Sequence, residues 1–280
     1  MEVKEMVFKP KATASKGIAD FLVRESEDTY HAKSKDYLSS HQLGEFRRNP
    51  LLFRKRELGL VPEEDRPAYL LGRAAHALIL EGREAFADRY AVGGPVNPKT
   101  GEHYGNRTKA WQEWADGVGK SVLTDEQNTL IEKLHESVCA HKHACELFTD
   151  GVAEGVVRTD YAGVPCQARL DWFNPKLGIV DLKTCDNLDW LQVDARSYGY
   201  AHQLAFYRAV TAVAVGTVLP VWLVAVEKRE PFRCGVWRMA ADVLGIAQKE
   251  NEEAIARLVK CRATDTWPSG YEDVRVFDYL

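Results

Sequence analysis

Two short runs with the two-residue alternation of a strand, Ala168–Phe173 and Gly178–Thr184, constrain this chain more than any other feature. The turn between them is Asn174-Pro175-Lys176-Leu177. Side chains two apart in a strand share a face, so Asp181 and Lys183 point one way while Leu182 points into a core. A hairpin then brings Asp171 across to meet them. Two carboxylates and an ammonium at the lip of a sheet are the minimum equipment for holding a divalent cation and placing a water for phosphodiester hydrolysis. The same trio also fits a surface salt bridge on an ordinary hairpin.

The chain has 280 residues, 45% of them hydrophobic, with ten Phe and seven Trp, enough for one substantial core or one core plus a smaller lobe. The longest apolar stretch, around Leu219–Val226, is far too short to span a bilayer and reads as a buried strand, so no membrane partner is expected. The start Met1-Glu2-Val3-Lys4-Glu5 has no apolar segment behind a basic one, which predicts no secretory signal. Six scattered cysteines then read as reduced thiols in a cytoplasmic protein. The net charge of −4 argues against a uniformly basic surface. Between Lys33 and Arg56, however, seven cations face two acids. That segment fits either a groove for a phosphate backbone or a solvated helix face.

Residues 1–29 are polar and unpatterned, an expected N-terminal arm, and residues 30–280 read as one domain. Within it, residues 30–150 are helical and residues 151–265 form a sheet core. Ser39-Ser40 cap a helix that stops before Pro50, and Pro62 to Pro67 is an acidic loop. An Ala/Leu-rich helix from Ala68 closes on Gly82. Residues 92–106 are a loop, and Arg107 to Lys120 is helical. Thr124 opens one long helix to about Phe148. Three strands follow (153–159, 164–173, 177–184), then a helix (198–215), a strand pair (221–227 and 232–239) and a last helix (240–261). This order predicts an α/β fold, a mixed central sheet flanked by helices with a helical N-terminal portion.

Further candidates lie outside the hairpin. Gly72 and His76 share a helix face, the glycine admitting a close backbone neighbour and the histidine offering a ligand or phosphate contact. A core histidine satisfied by its neighbours is the commoner reading for one His on an apolar helix. Gln203 and Tyr207 also share a face, able to bond phosphate oxygens or brace Lys183, or simply to pack together. Glu154 is either a further carboxylate ligand or an edge-strand charge. Cys139, His141, His143 and Cys145 cannot converge on one ion from a continuous helix. Cys139 with His143, or His141 with Cys145, could form half of a zinc site, the alternative being plain helix-face residues. No nucleotide-binding glycine loop, no Gly-x-Ser-x-Gly elbow and no iron–sulfur cysteine spacing is present.

Taken in order, Gly72-x-x-x-His76, Asp171, Asp181-Leu182-Lys183 and Gln203-x-x-x-Tyr207 form a set. The set resembles the RecB-like branch of the PD-(D/E)xK nuclease superfamily. From Tyr30 to Trp267-Pro268 it is most similar to the RecE-type (exonuclease VIII) nuclease family. That resemblance implies a restriction-endonuclease-like (PD-(D/E)xK) core as the exonuclease domain. It implies an ATP-independent, Mg2+-dependent exodeoxyribonuclease, with Mn2+ able to substitute. Such an enzyme degrades linear double-stranded DNA 5′ to 3′ and leaves 3′ tails for recombination by strand annealing. A homotetrameric ring, an annealing partner of the RecT type, and a compact phage or prophage homologue or an excised domain are also implied. Asp171 and Asp181 would hold the metal with the Leu182 carbonyl, with His76 and Glu154 as further ligands. Lys183 would orient or deprotonate the attacking water, and Gln203 and Tyr207 would position the nucleotide or hold Lys183. Arg47, Arg48, Arg54 and Lys55, or Arg107 and Lys109, would follow the DNA backbone. The alternatives are a RecB-like or structure-specific nuclease of other polarity, and a catalytically inactive DNA-binding subunit.

Overall fold

The computed structural model describes residues 21–62 and 67–278. The N-terminal half is helical: α1 (Glu27–Ala32), α2 (Ser40–Arg48), α3 (Pro50–Glu57), α4 (Pro67–His76) and α5 (Arg83–Arg89). Between α4 and α5 runs a single π-helical stretch, Ala77–Glu81, which ends on Gly82. Then come β1 (Tyr90–Val92), α6 (Lys109–Val118), β2 (Ser121–Leu123), α7 (Asp125–Ala140) and α8 (Lys142–Leu147). The C-terminal half is β3 (Val152–Tyr161), β4 (Val164–Asn174), β5 (Gly178–Cys185), α9 (Leu191–Tyr198), α10 (Tyr200–Val215), β6 (Val221–Glu227), β7 (Cys234–Arg238) and α11 (Ala241–Thr264).

Helix starts follow local chemistry. The Ser39 hydroxyl accepts from the Gln42 backbone N–H while Gln42 accepts from the Ser39 N–H, a reciprocal cap. Pro50 does stop α2, but it also occupies the first turn of α3, which Asn49 caps through the Leu52 N–H. The expected single helix from Thr124 to Phe148 is two. His141 is extended (φ −81°, ψ 109°), and its own ring accepts from the Ala144 N–H to start α8. A second unforeseen helix, α9, precedes α10, the two meeting at Gly199 in the left-handed region.

The central sheet has the order β3-β4-β5-β6-β7, antiparallel except for the parallel pair β5/β6. The helical crossover α9–α10 supplies the connection a parallel pair requires. Both faces are covered. Along β5, Ile179 and Cys185 pack with Phe46, Phe53, Leu204, Phe206 and Leu258, while Val180 and Leu182 pack with Ala74, Leu78, Leu134 and Val138. Asp181 and Lys183 share the parity of Ile179 and Cys185, hence the face of α10, and Leu182 is fully buried. The register pairs Asn174 with Gly178 and Phe173 with Ile179, so the hairpin turns where the sequence places it.

Of the expected arm, residues 1–20 lie outside the described residues. Its described part is held to the protein: Val23 exchanges two backbone hydrogen bonds with Val156 on β3. Glu25 accepts from Arg158 and Lys33. The loop expected at residues 62–67 falls largely outside the described residues.

Gly178 is where the hairpin needs a residue without a side chain. Its φ is +103°, and an added Cβ would stand 2.2 Å from the Pro220 carbonyl oxygen. Gly178→Ala therefore combines left-handed strain with a backbone clash. It is expected to lower Tm by about 5 °C or more, as read by a thermal denaturation scan.

Candidate active site

The site is built where β4 and β5 separate. Their pairing ends at Trp172 with Val180, one step before Asp171 would face Asp181. The Asp171 side chain takes over from the backbone: its Oδ2 accepts the Leu182 N–H at 2.8 Å. On the other side, β3 pairs with β4 at Ala153–Trp172 and at Gly155–Leu170. Glu154 between them has φ +54°, a left-handed backbone costly for a residue with a Cβ. The ladder is interrupted on both sides of Asp171, and carboxylates fill the opening.

His76 arrives from above the sheet. Gly72 lies over Thr184, where an added Cβ would meet the Thr184 hydroxyl at an ordinary 4.0 Å, so close backbone approach is not what the glycine supplies. One turn later His76 ends α4 at the change to the π stretch, a distortion that tends to mark functional positions. Its Nδ1 stands 3.7 Å from Asp171 Oδ2. One ligand atom each from His76, Glu154 and Asp171 lie within 4.8 Å of one another. Among the described residues this is the one such group of three or more His, Cys, Asp or Glu. Asp181 stands outside it, with Lys183 Nζ 2.6 Å from its Oδ2. Asp181 is fully buried, and neither of its oxygens has a partner in hydrogen-bond geometry; the lysine contact is ionic but poorly directed.

The electrostatics are those of crowded acids in a dry site. Burial, then the charge of Asp171, pushes Glu154 up to about 8. Burial raises Asp171 as well. Burial pushes Asp181 up to about 6 against the opposing pull of Lys183. Burial and the Lys183 charge bring His76 down to about 4, leaving a neutral imidazole at neutral pH. Burial alone would lower the Lys183 ammonium, yet Asp181 and Asp171 together hold it above its ordinary range. An imidazole, several carboxylates and an Asp181 whose buried oxygens have only the ionic contact of Lys183 fit a divalent cation that prefers oxygen ligands. His76, Glu154 and Asp171 are the residues that would hold it, with Asp181 beside them.

Gln203 and Tyr207 bond each other, Nε2 to Oη at 2.9 Å. Tyr207 is buried, and burial and then the Asp171 charge raise its phenol, so α10 carries this pair to the carboxylates. Lys183 lies 5.2 Å from the ring centre of Tyr200, at the start of α10. Arg169 was not foreseen as a site residue. Its Nε is 2.9 Å from Glu154 Oε2, again ionic without hydrogen-bond direction. The readable signal is the spacing Arg169-x-Asp171, which puts both on one face of β4.

The basic candidates divide. Arg47 reaches His202 at 2.6 Å, one residue before Gln203, and Glu250 at 3.6 Å. Arg54 pairs with Glu57 and lies over the Trp267 ring. Lys109 pairs with Glu113, while Arg48, Lys55 and Arg107 are exposed. The cysteine–histidine half-sites considered for this stretch take other partners, as plain helix-face residues would: Cys139 lies 3.5 Å from His135 within α7, and beyond the bend at His141, His143 pairs with Glu146. Among the described residues, no helix is long and apolar enough to cross a membrane.

A family model described as a PDDEXK-like domain of unknown function (DUF3799) matches residues 39–278. The chain belongs to this family. The DUF3799 chain is thereby placed in the PD-(D/E)xK nuclease superfamily. Its fold agrees with the crystal structure described as "Putative exonuclease" from Eubacterium rectale. The TM-score is 0.66 at 14% identity, over 92% of this chain and 97% of that one. Among curated proteins there is no match. The DUF3799 sheet, five-stranded, mixed and flanked by helices, is the PD-(D/E)xK core expected from the sequence.

Proposed function

We propose that this chain is a divalent-cation-dependent nuclease that hydrolyses DNA phosphodiester bonds from the ends of linear duplex. One observation carries the reading: a cation-sized cluster of His76, Glu154 and Asp171 opens beside a buried Asp181–Lys183 pair, on a PD-(D/E)xK core. The ordered motif set extends the proposal to 5′ to 3′ degradation leaving 3′ tails for strand annealing. Mg2+, replaceable by Mn2+, a ring of four copies and an annealing partner of the RecT type belong to the same proposal.

A bound divalent cation would supply Lewis acidity toward the phosphoryl oxygen and the attacking water. The chain's own residues do the rest. Asp171 shapes the site by fixing the Leu182 N–H, and thereby the backbone on which Asp181 and Lys183 stand. Lys183 is held as an ammonium, so it is suited to orient the water and offset charge on the pentacovalent phosphorus. Removing the water's proton, the other role for Lys183, would require the amine to be neutral in the metal-loaded site. The Gln203–Tyr207 pair braces the wall beside Asp171. The exposed cations Arg48, Lys55 and Arg107 are candidates for backbone contacts, which would make binding salt-dependent.

The test is a digestion of linear duplex labelled separately at each 5′ and 3′ end, with and without Mg2+, beside covalently closed circles. Loss of the 5′ label first, with circles intact, is the expected result. Rapid nicking of circles would favour an endonuclease, prior loss of the 3′ label would reverse the polarity, and no cleavage of any DNA would favour an inactive DNA-binding subunit.

A further inference from the structure

The motif residues leave one feature of the site wall unexplained. α9 ends at Tyr198 and α10 begins at Tyr200, with Gly199 between them at φ +74°. Around that left-handed glycine the two rings lie in an offset stack, 5.9 Å between centroids and 23° between planes. The inner ring, Tyr200, is half-buried and sits 5.2 Å from Lys183 Nζ, a cation–π contact. The outer ring, Tyr198, is 65% exposed. The site ammonium, the Tyr200 ring and the exposed Tyr198 ring are therefore successive neighbours. A tyrosine this exposed adds little to folding, and two stacked rings are an incomplete stack.

We propose that Tyr198 is a stacking platform for an unpaired base of the strand being cut, extending the Tyr200–Tyr198 stack by one ring. This rests on the nuclease reading of the site. The occupant follows from the geometry. A base inside a duplex has both faces covered by its neighbours, so only a frayed or single-stranded base can lie on Tyr198. Tyr200 links the platform to Lys183, so that base belongs to the strand that enters the site, a nucleotide or more from the scissile bond. Every base has a π-face, so the platform would be tolerant of sequence. Tyr198 would thus favour ends that are already open, and would hold a nucleotide of the open strand while Lys183 meets the scissile phosphate.

The experiment uses the whole chain in EDTA, so that binding is read without metal. The probe is a duplex with a short overhang carrying 2-aminopurine, a base whose fluorescence falls on stacking. The wild-type protein is expected to quench it saturably. Tyr198→Ala should abolish the quench and weaken binding of the overhang roughly tenfold, from the usual strength of base–aromatic stacking. Tyr198→Phe, which keeps the ring and drops the hydroxyl, should restore both. Equal quenching and affinity in Tyr198→Ala, or failure of Tyr198→Phe to rescue, overturns the platform. The same duplex is then digested with Mg2+. Cleavage by the wild type with no role for Tyr198 sinks the platform alone. Absence of cleavage sinks the nuclease reading, while the metal-free quench still decides whether the ring receives a base.

Discussion

Asp181→Ala is expected to lower DNA cleavage by on the order of a thousandfold, as when a preorganised charged group is removed from a dry site. Asp181 is fully buried, and its oxygens lack a well-directed hydrogen-bond partner. A carboxylate kept in that condition serves something other than folding. The loss should therefore appear in turnover more than in DNA affinity, measured by digestion rate beside a filter or anisotropy binding assay. A second readout needs no activity. Mg2+ or Mn2+ should raise the Tm of the wild type by mass action, and do so less or not at all in the variant. Asp171→Ala provides the contrast. It also removes the acceptor for the buried Leu182 N–H, costing about 1–3 kcal/mol of stability, whereas Asp171→Asn keeps an acceptor oxygen. Near-parental digestion by Asp181→Ala would remove this carboxylate from the chemistry.

Arg158→Ala is expected to be the most damaging change away from the site. The Arg158 guanidinium donates to both oxygens of Glu25 and to Gln167, and lies over the Tyr37 ring. The side chains of Arg158 and Glu25 are 13% and 8% exposed, and Gln167 is fully buried. Deleting Arg158 leaves the buried Gln167 side-chain carbonyl without its donor and Glu25 with Lys33 alone, at about 3 kcal/mol. For a chain of this size that is a fall in Tm of roughly 6–12 °C, with the stretch around Val23 loosening from β3 first. Acid should act on the same contact. The Arg158 hydrogen bond holds Glu25 at about 2 rather than its ordinary 4.5. Its contribution is therefore complete above pH 4.5 and disappears as pH falls toward 2. A urea titration repeated across that interval should show a shallower pH dependence in Arg158→Ala than in the wild type. Parallel curves would mean that Glu25 does not draw its stability from Arg158.

What the residues disclosed follows from range. Strand alternation, the Pro-Lys turn and the glycine at 178 are local, so the hairpin carrying Asp171, Asp181 and Lys183 is readable at once, as are the five strands along the chain, whereas their order in the sheet is not. The reciprocal cap at Ser39 is equally local. The break at His141 is not, because the same Ala/His/Cys stretch continues a helical pattern and a side-chain cap redirects it. α9 is hidden similarly, its Val-Asp-Ala-Arg run having no strong periodicity and its end depending on Gly199. At the site, the meeting of His76 and Asp171 depends on how α4 lies over β5, which no spacing along the chain reveals. The Glu154–Arg169 contact arises only when β3 pairs with β4 and Glu154 turns left-handed, so Glu154 stood out as an acid but Arg169 as nothing in particular.

The wide turn at Ala77–Glu81 carries one residue more than a regular helix would need to cover the same rise. Each residue swings a helix by about 100°, so removing one here would turn the segment beyond it relative to His76. The imidazole and the buried Leu78–Leu80 side chains could then not both keep their present directions.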